Sequence, residues 1–242
     1  MYSFNSRIRY SETDSNSFLT LESLINYFQD CSTFQTQAGI ADMAYMKERN
    51  IAWILNSWQI EVLRYPRLCE EVVIGTAPYE LRGVFGLRNF YMDTASGERL
   101  AVANSLWTLF DFVKGSPSRI TPEIVQTYPL DEKLPMDYAD RKIRIPTEGE
   151  ARKCEEILVR THHLDSNDHV NNGQYIRMAK DCLEDRDAFI TSMRAEYKMQ
   201  ARLGDTIYPT VICNKDGDTN ISTVSLDDTE GKAYCVAEFK TK

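Results

Sequence analysis

This chain has very little histidine. Three occur in 242 residues, and all lie between positions 162 and 169. Imidazole chemistry, where the protein uses it, is confined to that one stretch. Cysteine pairs are missing too. The six cysteines (31, 69, 154, 182, 213 and 235) are scattered, with no Cys-x-x-Cys, which speaks against zinc-ribbon and dithiol motifs. They read as reduced thiols in a cytoplasmic protein. No apolar run is long enough to span a bilayer, and Met1 to Arg9 has no signal-peptide apolar region. A basic excess is also absent. Lys and Arg number 28 against 36 Asp and Glu, a formal net charge of −8, so no general affinity for nucleic acid is expected. With 43% hydrophobic and 26% charged residues, the chain is composed like an ordinary globular protein with a substantial core.

The histidines stand in a run that reads His162-His163-Leu164-Asp165-Ser166-Asn167-Asp168-His169-Val170-Asn171-Asn172. Asp165, Asn167 and His169 alternate, so an extended backbone puts all three on one face. An apolar periodicity through Tyr175, Ile176, Ala179 and Leu183 predicts a helix beginning at Asn171 or Asn172, with Asn as its cap. A carboxylate, an amide and an imidazole would then sit beside a helix N-terminus. Backbone N–H groups near Asn171 and Asn172 could hold an oxyanion there. The plainer reading is that Asp165 and Asn167 only satisfy a tight turn. The histidine spacing fits no zinc pattern, so no metal and no cofactor is expected.

The same text occurs earlier. Asp14-Ser15-Asn16 matches Asp165-Ser166-Asn167 at a constant offset of 151 (165 less 14), as do Ile25 with Ile176 and Asp30-Cys31 with Asp181-Cys182. Further on, Arg67-Leu68 matches Arg202-Leu203 at an offset of 135 (202 less 67). The first copy is thus longer by 16 residues, the difference of the two offsets, around Ile40 to Asn56. Those residues could line or cover an apolar ligand, or simply close the core. A period this long signals a duplicated domain. Phe18 falls where the second copy has His169, so only the second half retains the imidazole.

Each half reads as a strand, a helix and an antiparallel meander. In the first, Thr20 is placed to cap a helix whose apolar positions are Leu21, Leu24, Ile25, Phe28 and Cys31, ending near Gly39. Strands follow at about 53–62, 71–81, 85–93 and 99–112, and in the second half at about 195–198, 207–214, 220–227 and 233–241. This is an α+β pattern. The expected division is 1–132, a proline- and charge-rich linker over 133–150, and 151–242.

Two such copies, with Asp-x-Asn-x-His-Val-Asn-Asn before the second helix, resemble the acyl-acyl-carrier-protein thioesterases. The likeness runs from Ser3 to Phe239 and includes Ile60-Glu61-Val62-Leu63-Arg64-Tyr65-Pro66. It implies two tandem hotdog domains, each an antiparallel sheet wrapped around one long central helix. It also implies an enzyme of fatty acid biosynthesis that hydrolyses the thioester between a fatty acyl chain and acyl carrier protein. Asp165, Asn167 and His169 are the implied catalytic residues. The plant members carry Leu-Glu-Tyr-x-x-Glu-Cys on the next strand, where this chain has Ala195-Glu196-Tyr197-Lys198-Met199-Gln200-Ala201. Glu196 is kept, but Gln200 and Ala201 replace a carboxylate and a thiol, so a mechanism with that cysteine as nucleophile is not available. Direct attack by water is then expected, with Asp165 or His169 as base and Asn171, Asn172, Gln200 and Glu196 in support. Arg177, Lys180, Lys198 and Arg202 are candidates for docking the acidic carrier. An acyl-CoA thioesterase and a non-catalytic acyl or pantetheine binding module are the alternatives, with a hotdog dehydratase behind them. Monomer and homodimer both fit.

Overall fold

The computed structural model describes residues 1–185 and 188–241, which form two compact units, Met1–Tyr138 and Ala139–Lys242. The first unit contains β1 (Tyr2–Arg7), α1 (Leu21–Gln37), α2 (Met43–Glu48), β2 (Ile51–Val62), β3 (Glu71–Arg82), β4 (Phe85–Thr94), β5 (Arg99–Asp111), β6 (Ser116–Pro117) and α3 (Pro122–Thr127). The second contains β7 (Glu150–Lys153), β8 (Ile157–Leu158), α4 (Asn172–Lys180), β9 (Ile190–Tyr197), β10 (Thr206–Asp216), β11 (Thr219–Asp227) and β12 (Ala233–Thr241).

Every strand pairing within a unit is antiparallel. The first sheet runs β1, β3, β4, β5, β2, with β6 on β5. The second repeats that order as β7, β10, β11, β12, β9, with β8 beside β10. In each unit the strand before the helix therefore pairs with the second strand after it, β1 with β3 and β7 with β10.

The helices form where the apolar spacing places them. The Thr20 side chain accepts the Ser23 N–H at 3.2 Å, and α1 then buries Leu21, Leu24, Ile25, Phe28 and Cys31 against β3 and β1. Each such Leu, Ile or Phe contributes roughly 1.5–3 kcal/mol by leaving water. In the second unit the Asn171 side chain accepts the Gly173 N–H at 2.8 Å, and α4 buries Tyr175, Ile176, Met178 and Ala179. It is 9 residues long against 17 for α1. Cys182 and Leu183 continue the buried stripe, but their N–H groups donate to the carbonyls three residues back, and this tightened turn ends the helix.

The connecting segment is docked rather than loose. The Leu134 N–H and the Tyr138 hydroxyl both donate to Asn89 Oδ1 at 3.0 Å. In the second unit, Arg194 donates to the Asp140 and Lys142 carbonyls, and Ile143 is buried. The 16-residue excess supplies α2 and the start of β2. Ala41, Met46 and Ile51 pack with Leu109, Ile124 and Tyr128 into a small second core.

Candidate active site

The site is clearest when the two copies of its loop are compared. In the first, Asp14 Oδ1 accepts the Asn16 N–H at 2.9 Å and the Phe18 N–H at 3.0 Å, while the Asp14 N–H donates to the Phe18 carbonyl at 2.8 Å. In the second, Asp165 Oδ1 accepts from Asn167 at 2.8 Å and from His169 at 3.3 Å, and the Asp165 N–H donates to the His169 carbonyl at 2.8 Å. Both turns have one residue in the left-handed region, Ser17 at φ 62° and Asp168 at φ 59°. Leu19 donates to Pro66 and Val170 to Ala201, positions that match at the offset of 135. The two backbones are thus bonded alike. The Asp is a turn-former in both, and the informative difference is Phe18 against His169.

His169 is half-buried, and among the described residues no hydrogen-bond partner is seen for its ring. The Asn167 side chain is exposed, with no partner among the described residues. Gln200 is exposed and directly precedes Ala201, whose carbonyl holds Val170, so it flanks the His169 loop. Ala201 is fixed in turn by its N–H, which donates to the Tyr175 hydroxyl at 2.7 Å. Burial pushes the Tyr175 phenol up, so it stays neutral.

Two of the expected supporting groups are committed elsewhere. The Asn171 N–H donates to the His163 carbonyl at 2.9 Å, and the Asn171 side chain caps α4. Asn171 therefore offers no free N–H to an oxyanion. Asn172 uses its carbonyl to accept the Tyr197 hydroxyl at 3.1 Å. Glu196 is not brought to the loop. On β9 it alternates with Tyr197, so it points to the opposite face, where it accepts the Ile143 N–H at 3.2 Å and faces Lys198 at 3.7 Å.

A cationic cluster lies beside the loop. The His162 and His163 rings are 4.1 Å apart, and His163 Nδ1 accepts the Arg160 N–H at 3.0 Å. Burial, and then the charges of His162, Arg177 and Arg160, hold the His163 imidazole below its ordinary pKa. In the first copy the position of His163 is Glu12, which pairs with Arg9 at 3.1 Å. The second copy has thus exchanged an acid for an imidazole. Arg160 and Arg177 have no ion-pair partner among the described residues. Arg177 and Arg202 are exposed, and Lys180 is half-buried. Arg67, the counterpart of Arg202, stacks 4.4 Å over the Phe18 ring, so by position Arg202 belongs beside His169. Arg160 and His163 were missing from the residues singled out on sequence, although the Glu12-to-His163 exchange is visible at the same offset of 151. Among the described residues no three His, Cys, Asp or Glu side chains gather as metal ligands. No helix among them is long and apolar enough to cross a membrane.

Each unit, a curved antiparallel sheet packed on a central helix, is a hotdog domain, and the chain carries two in tandem. Residues 1–128 match the acyl-ACP thioesterase N-terminal domain, and residues 147–242 match the acyl-ACP thioesterase C-terminal domain. The chain belongs to the acyl-ACP thioesterase family. It is 27% identical over 184 residues to an acyl-[acyl-carrier-protein] hydrolase of Cuphea viscosissima, covering 71% of this chain and 44% of that protein. The chain spans about half the length of the curated relatives it matches. Among solved structures, an acyl-ACP thioesterase from Bacteroides thetaiotaomicron superposes with a TM-score of 0.85 at 19% identity, covering 99% of this chain and 97% of that one. The 12:0-ACP thioesterase of Umbellularia californica gives 0.84 at 18% identity, covering 100% and 93%. At these identities the likeness speaks to the fold.

Proposed function

We propose that the protein hydrolyses fatty acyl thioesters carried on acyl carrier protein, with the site in the second domain. The observation that carries this is the imidazole of His169, standing in a loop whose first-domain twin is bonded in the same way around a phenyl ring. Water attacks the thioester carbonyl carbon as His169 removes its proton. Negative charge develops on the carbonyl oxygen. In this reading the Asn167 amide, exposed on the same loop, is the side-chain donor to it. The intermediate collapses as the carbon–sulfur bond breaks. The thiolate takes the proton from the imidazolium, leaving a free acid and a thiol. Asp165 holds the turn rather than acting as the base, since both N–H bonds to its Oδ1 have counterparts in a copy that lacks the imidazole. The exposed cations Arg160, Arg177 and Arg202 suit an acidic carrier.

The test is hydrolysis of a panel of acyl-carrier-protein thioesters, short to long, by wild type and His169→Ala, with acyl-CoA alongside. Turnover on the carrier-linked panel that His169→Ala abolishes supports the reading. Equal rates on both carriers make the protein an acyl-CoA thioesterase. Tight acyl-carrier binding without turnover makes it a binding module.

A further inference from the structure

The two loops share their internal bonds but not all of their anchoring. In the first domain the loop has two backbone bonds to the segment after β2. The Leu19 N–H donates to the Pro66 carbonyl and the Leu68 N–H donates to the Ser17 carbonyl, each at 2.9 Å. In the second, the Val170 N–H donates to the Ala201 carbonyl, after β9, at 3.0 Å. Among the described residues no bond joins Leu203 to Asp168, the counterparts of Leu68 and Ser17. The His169 loop therefore depends on one carbonyl of that segment, and its position is only as firm as Ala201.

Ala201 is fully buried. A buried peptide N–H without an acceptor costs about 1–3 kcal/mol. The first domain avoids that cost with Pro66, which has no N–H to satisfy. Its helix residue at the matching place is the aliphatic Leu24. The second domain keeps the N–H and supplies an acceptor, the Tyr175 hydroxyl at 2.7 Å. Leu24 and Tyr175 are each the fourth residue of their helix. A second exchange adds to this one. Tyr197 stands where the first domain has Val62, and its hydroxyl donates to the Asn172 carbonyl at the start of α4, at 3.1 Å. The Tyr175 and Tyr197 rings meet edge to face at 6.0 Å. Two phenols thus tie β9 and the residues after it to the first turn of α4. The fold does not require them, since the first domain makes the same loop bond with aliphatic side chains at both places. What they add is a directional tie between α4 and Ala201.

We propose that Tyr175 is a positioning residue for hydrolysis: its hydroxyl fixes the Ala201 peptide, that peptide's carbonyl fixes Val170, and the neighbouring His169 ring is thereby held in one place. The inference rests on the reading of His169 as the base. Tyr175→Phe removes one oxygen and keeps the ring. A displaced base costs rate rather than affinity, so kcat on a carrier-linked acyl substrate should fall by about tenfold or more with KM within about twofold, at a temperature where the variant is fully folded. The three histidines give three sets of ring C–H signals in NMR, and His169→Ala assigns its own. In Tyr175→Phe the His169 signal should shift or broaden, and those of His162 and His163 should change far less. This second arm needs no turnover. If wild type does not hydrolyse the thioester panel, the thioesterase reading fails, and the signal alone decides whether Tyr175 holds His169. If Tyr175→Phe does not fold, Tyr175→Phe/Ala201→Pro removes the orphaned N–H as the first domain does, and the same two readouts apply. In a folded variant, an unmoved His169 signal would overturn the proposal, as would a kcat equal to that of an active wild type.

Discussion

The loops at 13–20 and 164–171 are a natural control experiment. Their hydrogen bonds and their one left-handed residue correspond, yet one ends in a phenyl ring and the other in an imidazole. The backbone arrangement therefore carries no chemistry by itself. It is a presentation device, and what it presents decides what the domain can do. The sharpest way to break this comparison is His169→Phe, which turns the second loop into the first. Loss of the proposed general base is expected to cost about 10²–10⁴-fold in kcat, with the melting temperature nearly unchanged because Phe already fits this turn at position 18. A His169→Phe enzyme with near-normal turnover would end the assignment.

The two aspartates sharpen the point. Asp14→Ala and Asp165→Ala each remove the acceptor of two backbone N–H groups in an exposed or half-buried turn, and each should lower stability by about 0.5–1.5 kcal/mol. Asp165→Asn keeps an oxygen acceptor and should retain most of the activity. If Asp165→Asn were as inactive as His169→Phe in a folded protein, the carboxylate would be the base and its resemblance to Asp14 would mislead.

The surroundings differ as well. Glu12 neutralises Arg9, whereas with His163 in its place Arg160 has no acid partner among the described residues. Charge reversal of Arg160 and Arg177 together should raise KM for carrier-linked substrates by roughly tenfold and leave kcat alone, with less effect at high salt. The same reversal at Arg9 should leave KM unchanged. An unaltered KM in the Arg160→Glu/Arg177→Glu enzyme would remove this face from carrier docking.

Much of this was legible before any coordinates. The duplication, the caps Thr20 and Asn171 and the meander strands follow from spacing and turn chemistry, which are local. The inequality of the loops was also visible, because Phe18 and His169 align. Strand β9 begins at Ile190, five residues before the Ala195 expected. Two neighbouring residues on it, Ser192 and Met193, are both buried, which hides the alternation. The fate of Glu196 was not legible either. The strand periodicity puts it on one of two faces, and only the path of the connection across Ile143 decides which.

Gln200 tests the comparison from the segment that follows β9. Its first-domain counterpart, at the offset of 135, is Tyr65. Gln200→Glu sets a carboxylate beside the His169 loop. A few-fold rise in kcat is expected, because the new charge stabilises the imidazolium formed in the transition state. The acid limb of the pH–rate profile should move to higher pH. A profile that does not move would place Gln200 too far from His169 to matter.

The smallest effect concerns His163, the residue that replaced Glu12. Its folded-state pKa lies below the ordinary value, first through burial and then through His162, Arg177 and Arg160. Well above pH 6.5, the ordinary histidine value, the group is neutral folded and unfolded and contributes nothing to pH dependence. As pH falls through that value the unfolded chain takes up a proton while the folded one resists, so stability declines. Below the folded-state pKa both states are protonated and the loss stops growing. His163→Gln should remove this step, so its melting temperature relative to wild type rises as the pH is lowered from 7.5 to 5, by under about 2 °C for a group this exposed. Arg160→Gln should shrink the step without abolishing it, because burial is the larger cause. If His163→Gln follows the wild-type pH curve in parallel, the cluster does not hold His163 neutral, and the exchange of Glu12 for His163 has no electrostatic consequence for the fold.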